Sequence, residues 1–184
     1  MKKRLLFRCR LMVLCLGLLV MLGHDLAHSQ AISEDQVKAA YLYNFAKFVE
    51  WPEESFSDAS APIHLCVLND PQIGLALGQL VKDKHVSGRS VIVVPIQNGE
   101  QGRNCQILFI NSVQSWEVEH IIKVLQGASV LTVGETAGFM EQGGIVNFVV
   151  QNDQVHFQVN HKAATQCRLH MSARLLSVAK LVIE

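Results

Sequence analysis

Apolar and polar positions change period along this chain, and the changes divide it into elements. Ser33 with Gln36 three residues later has the form of a capping box, which puts a helix start just ahead of residues 39–52, AAYLYNFAKFVEWP. Val37, Ala40, Tyr41, Phe45, Phe48 and Val49 recur at helical spacing and make one wide apolar stripe. Pro52 is predicted to stop the helix, because the residue before a proline is pushed out of the α region. Tyr43 departs from the stripe. Trp51 follows it by spacing, but only where Pro52 ends the helix. These two rings are therefore the candidates for a partner or dimer surface, and the rest read as core.

Downstream the pattern alternates. Residues 63–68 (IHLCVL), 90–96 (SVIVVPI), 106–111 (QILFIN) and 129–133 (SVLTV) are short branched runs that predict buried strands. Pro95 marks a strand end or an edge. Between them, residues 71–81 read as a helix with proline in its first turn. Residues 97–104 read as a polar loop, and residues 115–126 as an amphipathic helix capped by Ser115 and stopped by Gly127. Trp116 reads as a packing residue. Residues 134–144 predict a short helix bounded by glycine turns. Residues 145–150 and 154–159 form a hairpin through Gln151, Asn152 and Asp153, and a closing helix spans about 162–183. The expected fold class is α/β: one domain with a mostly parallel central sheet flanked by helices, a C-terminal antiparallel hairpin and a closing helix.

The first 29 residues change the charge balance. Lys2, Lys3, Arg4, Arg8 and Arg10 precede an apolar run, 11–22, that is too short to span a membrane. Ala27-His28-Ser29 fits a signal-peptidase site, with Ser29-Gln30-Ala31 as a second frame and an uncleaved anchor as the alternative. Cys15 follows Leu14, where a lipoprotein site needs a small residue, so lipidation there is rejected. The expected organisation is a cleaved secretory signal over 1–29 and one domain over 30–184. Of 16 basic and 16 acidic residues, five and one lie in the leader, leaving 11 against 15. A mildly acidic domain has no electrostatic footprint for nucleic acid.

Candidate chemistry is sparse. The glycines of residues 134–144 match neither G-x-x-x-x-G-K-[ST] nor G-x-G-x-x-G, and no G-x-S-x-G is present. Cys167 shares a helix face with His170, but nothing in the sequence orients that pair. No histidine falls in a zinc spacing, so no catalytic residue, metal ligand or cofactor is assigned. His156 and His161 flank the end of a strand and are candidates for the rim of a ligand pocket. Cys66, Cys105 and Cys167 remain after the leader. An oxidising compartment then implies one bridge and one thiol, with three pairings open.

Seven segments carry a resemblance, in order: AYLYNFAKFVEWP from residue 40, HLCVLNDP from 64, GRSVIV from 88, CQILFI from 105, GFMEQGGIVNFV from 138, VHFQVN from 155 and SARLLSVAK from 172. Together they resemble the YfiR family of small periplasmic proteins (YfiR/HmsC-like). The resemblance implies a Cys66–Cys105 disulfide. It also implies that Cys167 is the orphaned half of a second bridge, since residues 138–148 hold no cysteine. It implies a periplasmic protein without enzymatic activity that represses an inner-membrane diguanylate cyclase through the cyclase's periplasmic part. Cyclic-di-GMP signalling and biofilm formation would follow from release of that repression. Its implied partners are the cyclase, an outer-membrane lipoprotein that titrates the repressor, and a second copy in a homodimer. Two other readings stand beside it: a small-molecule sensor or solute-binding module with its pocket at the carboxyl ends of the parallel strands, and a secreted enzyme.

Overall fold

A computed structural model describes residues 32–111 and 114–184, so the leader and its cleavage frames lie outside the described residues. Helix α1 (Glu34–Phe48) begins with the capping box. Ser33 accepts from the Gln36 amide at 3.2 Å, and the Gln36 side chain accepts from the Ser33 amide at 2.9 Å. The helix ends four residues before Pro52, because Val49–Glu50 (β1) turns extended and pairs with His170–Met171 (β9). Its most buried face is Lys38, Ala39, Leu42, Phe45 and Ala46. Tyr41, Tyr43 and Phe48 sit half-buried at the margins of that face. The buried stripe is thus centred on Leu42 and Phe45, with Ala39 and Ala46 beside them, rather than on Tyr41 and Phe48.

The main sheet runs β10-β8-β7-β6-β5-β2-β4-β3. Its parallel centre is β4 (Arg89–Ile96), β2 (Ile63–Leu68), β5 (Ile107–Ile110), β6 (Leu131–Gly134) and β7 (Val146–Gln151). Strand β8 (Gln154–Asn160) returns antiparallel, through Asn152 and Asp153 at φ 51° and 58°, the conformation of a two-residue type I′ turn. Strand β3 (His85–Val86) pairs only with Ser90 and Arg89, so Pro95 sits on open edge, where its missing N–H costs nothing. α2 (Pro71–Val81) and α1 share one core with β7 and β8, in which Phe45 meets Phe148 and Phe157 at ring-centroid distances of 6.1 and 5.1 Å. α3 (Ser115–Val124) and the 3-10 segment Gly99–Asn104 cover the opposite face in a second core. The architecture is the expected single mixed α/β domain, and three expectations for its second half fail.

The closing segment is not one helix. α4 (His161–Gln166) ends in a Schellman motif: the Leu169 amide reaches Ala164 O, the Arg168 amide reaches Thr165 O, and Arg168 sits at φ 59°. Ser172 then caps α5 (Ala173–Val178), and Leu181–Ile183 (β10) pairs with β8. The glycine segment 134–144 is likewise a chain of turns rather than a helix. It wraps the buried Phe139 ring, against which Gly134 and Gly144 pack with no room for a Cβ. Ser115 does not cap α3. Gln114 occupies that position, and the Ser115 hydroxyl accepts from Gln142.

Candidate functional site

Two ends of the parallel sheet offer surfaces of different character. At the amino ends, Cys66 and Cys105 form a disulfide with Cα atoms 5.9 Å apart, closing a separation of 39 residues. Beside it, Gln106 is a buried junction that the sequence reading passed over. Its Oε1 accepts from the His64 amide at 2.8 Å, and its Nε2 donates to Ser55 O at 2.9 Å. Its carbonyl accepts from the Trp51 indole at 3.0 Å and from the Leu131 amide at 2.9 Å. A glutamine beside a strand looks polar in one dimension. Only its neighbours across the fold show every group satisfied. A cleft of about 390 Å³ opens here, with Phe56, His64, Arg103, Cys105, Ser129 and Arg168 among its walls.

The carboxyl ends differ. Strand order reverses between β2 and β5, the place where an α/β sheet most often opens a ligand crevice. Here Asn111 Nδ2 donates to Asp70 Oδ2 at 2.8 Å, and Asp70 Oδ1 caps α2 by accepting from the Ile73 amide at 2.9 Å. Those groups satisfy one another across the switch point. Alongside lies a shallow, largely apolar groove of about 640 Å³ between α2 and β4, lined by Gly74, Leu75, Gly78, Val93 and Pro95. Gln97 joins it to a second hollow at Trp116 and His120 on α3. Leu75 and Trp116 are 60% and 68% exposed, so Trp116 is not the packing residue its helix position suggested.

The residues singled out in the sequence do not converge. Tyr43 is half-buried against the main core and carries the Lys47 ammonium 4.1 Å from its ring centroid. Trp51 is half-buried with its N–H turned inward to Gln106. His156 faces a shallow hollow beside Tyr41 and Val155 near the start of β8. His161 opens α4 past the other end of that strand, with Nδ1 3.1 Å from Glu184 Oε2. Five residues of extended chain separate the two histidines by about 17 Å, so they line no common pocket.

Burial perturbs two titratable groups away from the surface, Lys38 and Cys167. Lys38 is buried on α1. Burial alone would lower its pKa, but hydrogen bonds and charge from Glu135 and Glu34 outweigh that and raise it above the usual lysine value. Cys167 is the free cysteine among the described residues, at the C-cap of α4, and burial pushes its thiol up. Among the described residues, no group of three or more His, Cys, Asp or Glu is placed to hold a metal ion, and no helix is long and apolar enough to cross a membrane.

A doubly wound sheet with a C-terminal hairpin, braced by one disulfide at its amino end, is the frame on which comparison with known proteins bears. The family described as YfiR/HmsC-like matches residues 35–180, most of the chain. The chain belongs to the YfiR/HmsC-like family. No curated protein matches it significantly. Among solved structures, this YfiR/HmsC-like chain is similar to a conserved domain protein from Vibrio cholerae O1 biovar El Tor, with a TM-score of 0.52 at 12% identity, which shows shared fold alone. The alignment covers 82% of this chain and 60% of the Vibrio chain, so the family member spans less than two thirds of that relative. A looser likeness, TM-score 0.46 at 9% identity over 66% of this chain and 55% of the other, is to the ABC domain in complex with L-Trp from Streptococcus pneumoniae.

Proposed function

We propose that this protein is a periplasmic regulatory binding protein, exported by the leader at residues 1–29, that holds an inner-membrane diguanylate cyclase inactive by contact with its periplasmic part. Membership of the YfiR/HmsC-like family over residues 35–180 is the observation that carries this reading. Repression by contact is differential binding: the repressor binds the inactive conformation of the cyclase more tightly, and its removal shifts the population. An outer-membrane lipoprotein that competes for the repressor, and a homodimer, complete the proposal. The exposed apolar side chains at the carboxyl rim, Leu75 and Trp116, suit such a contact, because interface cores are enriched in aromatic and aliphatic anchors. Tyr43, half-buried on α1, is a second candidate.

Deleting the gene tests the reading. Cellular cyclic-di-GMP is expected to rise, and complementation to restore it. Trp116→Ala is expected to leave melting unchanged while weakening repression. Unaltered cyclic-di-GMP in the deletion strain, with a cyclase bearing a periplasmic domain shown to be expressed, overturns the proposal.

A further inference from the structure

The cleft at the amino ends of β2, β5 and β6 has a charge opposite to that of the domain around it. Residues 32–184 carry 15 acidic against 11 basic side chains, yet two guanidinium groups and one carboxylate, Glu54, face this cleft. Arg168 Nη1 lies 2.5 Å from Glu54 Oε1 at the cleft wall. Arg103 has no carboxylate partner among the described residues. Its Nη1 donates to the Val124 and Gln126 carbonyls at the end of α3, which position the head without neutralising it. Its Nε and Nη2 have no partner among the described residues, and they are donors suited to a planar or tetrahedral anion. Ser129 stands on the same wall, only 8% exposed, and its hydroxyl has no hydrogen-bond partner among the described residues. A buried hydroxyl in that condition costs stability unless something fills its place. Phe56 supplies a flat apolar wall, held from one side by the Arg89 guanidinium 3.8 Å from its ring centroid.

We infer that this cleft binds a small organic anion, a carboxylate or a phosphate ester, with the charged end between Arg103 and Arg168 toward Ser129 and the apolar body against Phe56. The volume of about 390 Å³ lies within the range of small-molecule sites. Binding moves no proton and breaks no bond. Arg168 shares its donors between Glu54 and the ligand, and Arg103 gains an anionic partner. The site is separate from the proposed cyclase contact at the carboxyl rim and stands or falls without it.

Calorimetric titration of the purified protein at low ionic strength tests the inference, with sodium benzoate and inorganic phosphate as separate probes. At least one probe is expected to bind saturably with a Kd of about 1 mM or tighter, weakened about tenfold or more by Arg103→Gln. Lys123→Gln, which removes the same charge from an exposed site on α3, is expected to change nothing. Benzoate binding alone assigns a carboxylate ligand, phosphate binding alone a phosphate ester, and binding of both assigns selection by charge. If Arg103→Gln unfolds, Arg168→Gln at an exposed position decides in its place. No saturable binding of either probe overturns the inference, as does equal weakening by Lys123→Gln and the arginine variant.

Discussion

Gly74 and Gly78 lie one turn apart inside α2, and neither needs to be glycine for anything among the described residues. Neither is held at positive φ, and a Cβ built at either position meets nothing within 4 Å. Glycine in a helix interior costs about 1 kcal/mol relative to alanine, through backbone entropy lost on folding. Because the two positions touch no shared internal atom, the gains should add, so Gly74→Ala with Gly78→Ala is expected to stabilise the fold by about 2 kcal/mol. For a chain of this size that is a rise of about 4–8 °C in Tm. Gly134→Ala is the control of opposite sign. Its Cβ would fall 2.5 Å from the Phe139 ring in a closed core, at a cost of about 1–3 kcal/mol or more. Thermal unfolding followed by circular dichroism, with urea midpoints, reads both. A double alanine variant that melts at or below the parent temperature would refute the argument. The two glycines also line the apolar groove of α2, so loss of the proposed cyclase repression in a variant that melts higher would locate the partner there.

Other expectations follow from single features. Replacing Cys66 and Cys105 together by serine frees a loop closed across 39 residues and should cost about 4 kcal/mol, read as a lower urea midpoint; an unchanged midpoint contradicts the bridge. Lys38 has a raised folded pKa, so its contribution is fully present below the unfolded lysine value of about 10.4 and is lost as pH rises through the higher folded value. Glu135→Gln should weaken that alkaline dependence, and identical pH–stability curves for parent and variant above pH 10 would exclude it. The Cys167 thiol, raised by burial, should react with iodoacetamide at neutral pH far more slowly in the native protein than in denaturant; equal rates would show it exposed.

Local signals read well wherever one side chain answers its own neighbours. The Ser33 capping box, the proline opening α2 and the Asn152-Asp153 turn are each decided within four residues, and the structure reproduces them. The closing segment misled because its break uses Arg168 in the left-handed region rather than glycine, and because β9 and β10 exist only through partners far away in the chain. Trp116 misled for a related reason: apolar spacing names a stripe but does not say whether a second layer covers it.

By itself, then, the sequence determined the order of the central strands and of the helices between them, the mixed α/β class and the family, all of which rest on short-range periodicity and on motifs in series. Tertiary structure alone decided which groups meet. It set Gln106 beneath Trp51 and buried Lys38 under two carboxylates. It also satisfied Asp70 and Asn111 with each other at the switch point, and left two arginines facing a polar cleft at the opposite end. Burial and charge pairing depend on atoms brought together from distant parts of the chain, and no period along one dimension encodes them.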